Sequence, residues 1–159
     1  MVGKKNFITV FTVSRSAENA VNGLLFLASK SSDGPVTIRE ISKAEGIPIS
    51  LLAKIFQTLA KKRIVRSIRG RRGGFVLSRS SDEVNLLEVI EAVEGTIDPF
   101  KDPCPRVRTC PVHDVLKEGF KRFISVLHKN SLLQLLERRK RLRDEDMRIR
   151  VEVKEQGKT

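Results

Sequence analysis

The tripeptide Gly46-Ile47-Pro48 constrains this chain more than any other feature, because it separates two helical patterns by a turn that leaves them side by side. Ahead of it, Thr37 and Glu40 have capping-box spacing. The sequence therefore predicts a helix that starts at Ile38, buries Ile41 and Ala44, and stops at Gly46, where a left-handed backbone is easy. Behind it, Pro48 suits the opening of a second helix, in which Leu52, Ile55, Phe56 and Leu59 fall at i, i+3, i+4 and i+7 and form one apolar stripe. Ser50, Ala53, Lys54, Gln57 and Lys61 are left on the open face. After Lys62 the period changes. Residues 65–69 and 74–78 are short β-prone runs around Gly70-Arg71-Arg72-Gly73, which predicts a hairpin with an arginine tip. Two helices, a tight turn and such a hairpin make a winged helix-turn-helix. The expected class is mainly α with a small β-hairpin wing.

Charge points the same way. Between Gly46 and Ser81 there is no Asp or Glu, whereas Lys54, Lys61, Lys62, Arg63, Arg66, Arg69, Arg71, Arg72 and Arg79 all lie there and make up most of the formal net charge of +12. A charge run taken alone is as well explained by a solvated surface, but on a helix-turn-helix with a wing that becomes the weaker reading. Lys and Arg neutralise phosphate and supply the sequence-independent part of DNA affinity, while the open face of the second helix reads bases in the major groove. The expected DNA-binding residues are Ser50, Leu51, Ala53, Lys54, Gln57 and Lys61 on the helix, with Arg69, Gly70, Arg71 and Arg72 in the wing. Leu51 and Ala53 offer only apolar contact, of the kind that suits thymine methyls. The chain has no Trp and no Tyr, so stacking platforms for single strands or RNA are poorly supplied and duplex DNA is the better ligand. No nucleophile–base pair or paired acidic site points to an enzyme.

The 159 residues fit one domain with an appended helix. Residues 1–12 read as an N-terminal arm or short edge strand, and 13–95 as the DNA-binding domain. That domain opens on a helix striped by Ala20, Val21, Leu24, Leu27 and Ala28, with Glu18 in its first turn. It closes on an amphipathic segment carrying Leu86, Val89, Ile90 and Val93, ended by Gly95. Residues 96–111 are a loop rich in Pro and charge. A long helix follows from Val112, with Leu116, Phe120, Phe123 and Leu127 on one face, broad enough to want a second subunit. Residues 112–137 are accordingly expected to make an isologous homodimer, which suits palindromic half-sites about one helical turn apart. Ser131 and Gln134 predict a short capped helix over 132–137, and the charged tail 138–159 is expected to fray or be disordered. No apolar run reaches the length of a membrane span and no signal-peptide core follows Lys4-Lys5, so a cytosolic protein is expected.

The order GPVTIREISKAEGIPISLLAKIFQTLAKKRIVRSIRGRRGGFVLSR resembles the bacterial Rrf-type winged-helix regulators, the group of the iron–sulfur assembly, nitric-oxide-sensing and cysteine-metabolism repressors (IscR, NsrR and CymR). The likeness runs from Val13 to Gly95 and resumes from Cys110 to Leu136, and Arg69-Gly70-Arg71-Arg72-Gly73-Gly74 is its most specific element.

One constellation carries chemistry. In Cys104-Pro-Arg-Val-Arg-Thr-Cys110-Pro-Val-His113, two thiols and an imidazole lie on a loop entering a helix, the ligand types of an iron–sulfur cluster or of zinc. In the cluster-binding members of the group a loop with three cysteines stands here, the third followed three residues later by a histidine. Cys104, Cys110 and His113 match its later part, and Asp98 stands where the first cysteine would be. The resemblance further implies a carboxylate from the first helix of a second subunit, at the position of Glu18. Cys104, Cys110, His113 and Glu18, with Asp98 as the alternative fourth ligand, are thus the expected holders of a [2Fe-2S] cluster. Zinc at the same positions, a thiol switch and a vestigial loop are the alternatives. The function expected is that of a DNA-binding repressor controlled by the state of this loop; the other readings are the same dimer controlled by a metabolite or a partner protein, and a zinc or iron–sulfur protein with an assembly role. His128 has no such company and reads as a surface residue.

Overall fold

The computed structural model describes residues 13–30, 32–97 and 110–156, with side chains through Arg150. The expected arm 1–12 and the loop residues Asp98 and Cys104 lie outside the described residues. Among the described residues, six helices surround one hairpin. Helix α1 (Arg15–Ser29) starts at Ser14, whose hydroxyl accepts the Ala17 N–H at 3.2 Å. Its Ala20, Leu24 and Leu27 enter the main core. Helix α2 (Ile38–Glu45) has the complete capping box: the Thr37 N–H donates to the Glu40 carboxylate at 2.7 Å, and the Glu40 N–H donates to the Thr37 hydroxyl at 3.2 Å. Gly46 ends it in the left-handed region at φ 67°. Ile41 is buried as expected, but Ala44 is exposed. The last turn of α2 is instead covered on the side of Glu45, whose carboxylate pairs with Arg139.

Helix α3 (Ile49–Lys61) buries Leu52, Ile55, Phe56 and Leu59, the expected stripe. It ends on a non-glycine residue in the left-handed region, Arg63 at φ 58°. The Ile64 N–H donates to Leu59 O and the Arg63 N–H to Ala60 O, both at 3.0 Å, a Schellman closure that turns the chain into the wing. Strands β1 (Val65–Ile68) and β2 (Gly74–Leu77) pair antiparallel, with Val65 opposite Leu77 and Ile68 opposite Gly74. A contact unforeseen in the sequence extends this sheet. Val36, just ahead of α2, bridges Phe75: its N–H donates to Phe75 O at 3.0 Å and its O accepts the Phe75 N–H at 2.7 Å. Gly74 permits it, since a Cβ there would lie 2.5 Å from Val36 O. The Phe75 ring then meets Phe56 edge to face, with centroids 5.1 Å apart, so the wing is anchored to the core behind the recognition helix.

Helix α4 (Leu86–Glu94) is capped by Asn85, whose side-chain oxygen accepts the Glu88 N–H at 2.9 Å. Helix α5 (Pro111–Lys129) returns beside it, and Leu127 joins Ala17 and Ile90 in a second small core. Part of the face expected to make the dimer packs within the subunit. Leu127 is 7% exposed and belongs to its own subunit, and Phe123 lies against the same cluster, 6.3 Å from the ring of Phe120. The outward apolar stripe of α5 is Val112, Val115, Leu116 and Val126, with Val115 69% exposed. Helix α6 (Leu132–Gln156) starts as expected, with reciprocal hydrogen bonds between Ser131 and Gln134 at 2.9 and 3.3 Å. It does not end near 137: it runs 25 residues, through a stretch without Gly or Pro. Leu132, Leu135 and Leu136 dock it on the main core, and Arg139 adds the pair with Glu45.

Candidate nucleic-acid interface and cysteine site

The apolar stripe of α3 fixes which of its residues face outward. Ser50, Lys54, Gln57 and Lys61 lie on its outer side, as the spacing requires, and Ala53 is half-buried between them. Leu51 is turned partly onto the core, so its contribution to an outer surface is smaller than the sequence implied. Ile49, at the first position of α3, was missed. It is 50% exposed, because it precedes the first full turn and lies beyond the edge of the core. Its position straight after Pro48 was the available signal, since the N-terminal residues of a recognition helix are those that meet base edges.

The wing tip runs from Arg69 to Gly73, with Arg69, Arg71 and Arg72 all exposed. Gly70 takes φ 115° and its carbonyl accepts the Gly73 N–H at 2.9 Å, which closes the tip. Among the described residues, none of Lys54, Lys61, Lys62, Arg63, Arg66, Arg69, Arg71 and Arg72 forms an ion pair. Arg79 differs, since it is bound to Glu88 of α4. The recognition helix and wing therefore present a run of uncompensated cations with no carboxylate among them, on a rigid frame. That is the electrostatic footprint of a polyanion site.

At the N-terminus of α5 the imidazole of His113, and next its backbone N–H, hold the neighbouring thiol of Cys110 below its ordinary range. Position matters too: Cys110 is the N-cap of α5, where the helix dipole favours a thiolate. Glu18 is exposed in the first turn of α1 and is not gathered with these two in one subunit. Among the described residues no three potential metal ligands converge. The donor set itself, a thiolate-prone cysteine beside an imidazole, fits iron or zinc.

A helix-turn-helix with a cation-lined open helix and an arginine-tipped wing defines a winged-helix DNA-binding regulator. The chain belongs to the family described as Rrf2, iron-dependent transcriptional regulator, whose model matches residues 13–138. Among curated relatives it is 34% identical over 121 residues to the HTH-type transcriptional regulator IscR of Xenorhabdus nematophila, covering 74% of each chain. It is equally similar, at 34%, to the IscR of Sodalis glossinidius, over 74% of this chain and 73% of that one. Among solved structures, CymR, the global cysteine regulator of B. subtilis, matches with a TM-score of 0.62 and 26% identity, over 80% of this chain and 97% of that one. T. potens IscR shares the fold with a TM-score of 0.67 at 24% identity, over 80% and 87% of the two chains. The protein is thus a transcriptional regulator and not an enzyme. No helix among the described residues is long and apolar enough to cross a membrane.

Proposed function

We propose that the protein is a cytoplasmic homodimeric repressor that binds a palindromic operator, with its affinity set by a [2Fe-2S] cluster at the cysteine loop. The observation that carries this reading is the Cys110–His113 pair at the head of α5. That helix joins two functions: its start carries the ligands, and its far end packs through Leu127 against α1 and α4 of the DNA-binding domain. A change in how the first turn of α5 is held is therefore passed to the frame that carries α3 and the wing. The outward stripe of Val112, Val115, Leu116 and Val126 supports dimerisation, because apolar side chains at helical spacing gain most by covering one another across a two-fold axis.

Cys104, Cys110 and His113, with Glu18 from a second subunit, would hold the cluster. When bound, it supplies one-electron redox chemistry and visible thiolate-to-iron charge transfer. A second reading keeps the dimer and replaces the cluster by zinc or by another signal. It is favoured by Asp98, which stands where the resemblance calls for a cysteine.

Anaerobic purification followed by absorbance, iron and zinc analysis separates the two. The cluster reading expects Cys104→Ala and Cys110→Ala to lose the visible absorbance outright and His113→Ala to weaken it. Glu18→Ala and Asp98→Ala, compared for cluster retention, identify the fourth ligand. Stoichiometric zinc without iron would refute the cluster and make the same positions a structural zinc site.

A further inference from the structure

The family match ends at Arg138, yet α6 continues to Gln156. Among the described residues, the last ion pair that ties α6 to the domain is that of Arg139, whose guanidinium meets Glu45, the final residue of α2. From Lys140 to Arg150 every side chain is exposed. At 1.5 Å per residue the helix beyond Arg139 is about 25 Å long. It leaves the domain beside the α2–α3 turn, only four residues before Ile49 and the start of the recognition helix.

Its charges are not evenly spread. Arg138, Arg139, Lys140, Arg141 and Arg143 fall within one and a half turns and contain no acid. On the side of the helix marked by the Arg139–Glu45 contact, Arg143, Asp146 and Arg150 recur at helical spacing with Lys140 on the flank, whereas Arg141, Asp144, Glu145 and Arg148 fall on other sides. Asp146 is held by Arg150 at 2.9 Å. The exposed cations Lys140, Arg141 and Arg143 thus stand within about one turn of the contact that seats α6 against the end of α2.

We propose that the segment Lys140–Arg150 of α6 is a third DNA-binding element, an arm that contacts phosphates next to those held by α3 and the wing. The inference rests on the DNA-binding reading of the helix-turn-helix. Duplex DNA is the occupant because Lys140, Arg141 and Arg143 form a dense exposed cation cluster just past the contact with the end of α2, the helix that leads into α3, and because a straight helix can track a backbone without reading sequence. The arm adds affinity and salt sensitivity, and little specificity.

The test compares the parent with Lys140→Gln/Arg141→Gln/Arg143→Gln, which keeps good helix formers and leaves the Arg139–Glu45 contact alone. A control, Lys117→Gln/Lys121→Gln/Lys129→Gln on α5, removes the same charge elsewhere. The probe is a fluorescent duplex selected by the parent from a random-sequence library, titrated at several salt concentrations, with sedimentation on each protein. With roughly two phosphates contacted by each of two subunits, the slope of log affinity against log salt should fall by about 3.6 in the arm variant, so that the parent's advantage shrinks about 150-fold between 50 and 200 mM salt. The α5 control should keep the parental slope. An arm variant with the parental slope would overturn the arm while leaving the helix-turn-helix reading intact. An equal fall in the control would assign the effect to net charge and overturn it as well. A changed sedimentation coefficient in the arm variant would make the segment a contact between subunits and overturn the DNA-binding role. A parent that selects no duplex would fail the DNA-binding reading itself.

Discussion

Gly74→Ala should uncouple the wing from the domain, and the cost follows from local geometry. The added methyl carbon would stand 2.5 Å from Val36 O and 2.7 Å from Val36 C, both backbone atoms that cannot rotate away. Relief requires β2 and the Val36 segment to separate by about 1 Å, since ordinary contact begins near ~3.5 Å. Both hydrogen bonds between Val36 and Phe75 then break, at about 1 kcal/mol each net. The ring of Phe75 also leaves the edge of Phe56, which forfeits about 0.5–1.5 kcal/mol. Alanine's smaller unfolded-state entropy returns about 0.4–1 kcal/mol. The balance is a destabilisation of roughly 2–3 kcal/mol, or a fall in Tm of roughly 5–10 °C for a chain of this size. Thermal and urea unfolding followed by circular dichroism at fixed protein concentration measures it, and DNA affinity well below Tm should fall with it. A variant that unfolds at the parental temperature and urea midpoint would refute the argument that the Val36 bridge holds the wing.

Other substitutions test neighbouring claims. Arg69→Ala/Arg71→Ala/Arg72→Ala should weaken binding to all duplexes alike and lower the salt slope by about 0.9 for each phosphate that is no longer neutralised, readable by titration at two salt concentrations. Val115→Glu should leave the subunit folded but monomeric in sedimentation, whereas Leu127→Glu places a charge in the small core beside Ala17 and Ile90 and should unfold it. The opposite pattern would return the interface to the Leu127 face. Arg63→Gly should stabilise by about 0.5–1 kcal/mol, because the left-handed backbone at φ 58° costs a side-chain-bearing residue about 1–2 kcal/mol and glycine's extra entropy offsets part of the gain. Denaturant melts that show a loss would mean that the Arg63 side chain contributes more than its backbone strain costs.

Local signals were legible in the sequence and long-range ones were not. The capping boxes at Thr37–Glu40 and Ser131–Gln134, the stop at Gly46 and the stripe of α3 all depend on residues within one or two turns, and each is present. The hairpin was readable from its glycines, but the bridge that anchors it joins Val36 to Phe75 across a distance no periodicity reports. On α5 the pattern showed one broad apolar face. It could not show that Leu127 faces inward and Val115 outward, which is settled by where α1 and α4 lie. The tail beyond Arg138 reads as unstructured because it is so highly charged. It forms a helix because it lacks Gly and Pro as far as Gln156, is rich in Arg, Lys and Glu, is anchored by Arg139, and has paired charges such as Arg150 with Asp146 four residues apart. Of the cysteine site, Cys110 and His113 are brought together, whereas the place of Glu18 depends on a second subunit and Cys104 lies outside the described residues.

The most direct test of the central claim is the affinity of one anaerobic preparation for one selected duplex, measured before and after its metal is removed, with iron, sulfide and zinc determined on the same sample. About two irons and two sulfides per subunit are expected, with a shift in affinity of about 5–150-fold on removal, the usual size of a coupling between two sites. Cys110→Ala should hold the metal-free affinity under both conditions. An affinity that is unchanged by metal removal, or a preparation whose metal is zinc alone, would contradict the central claim.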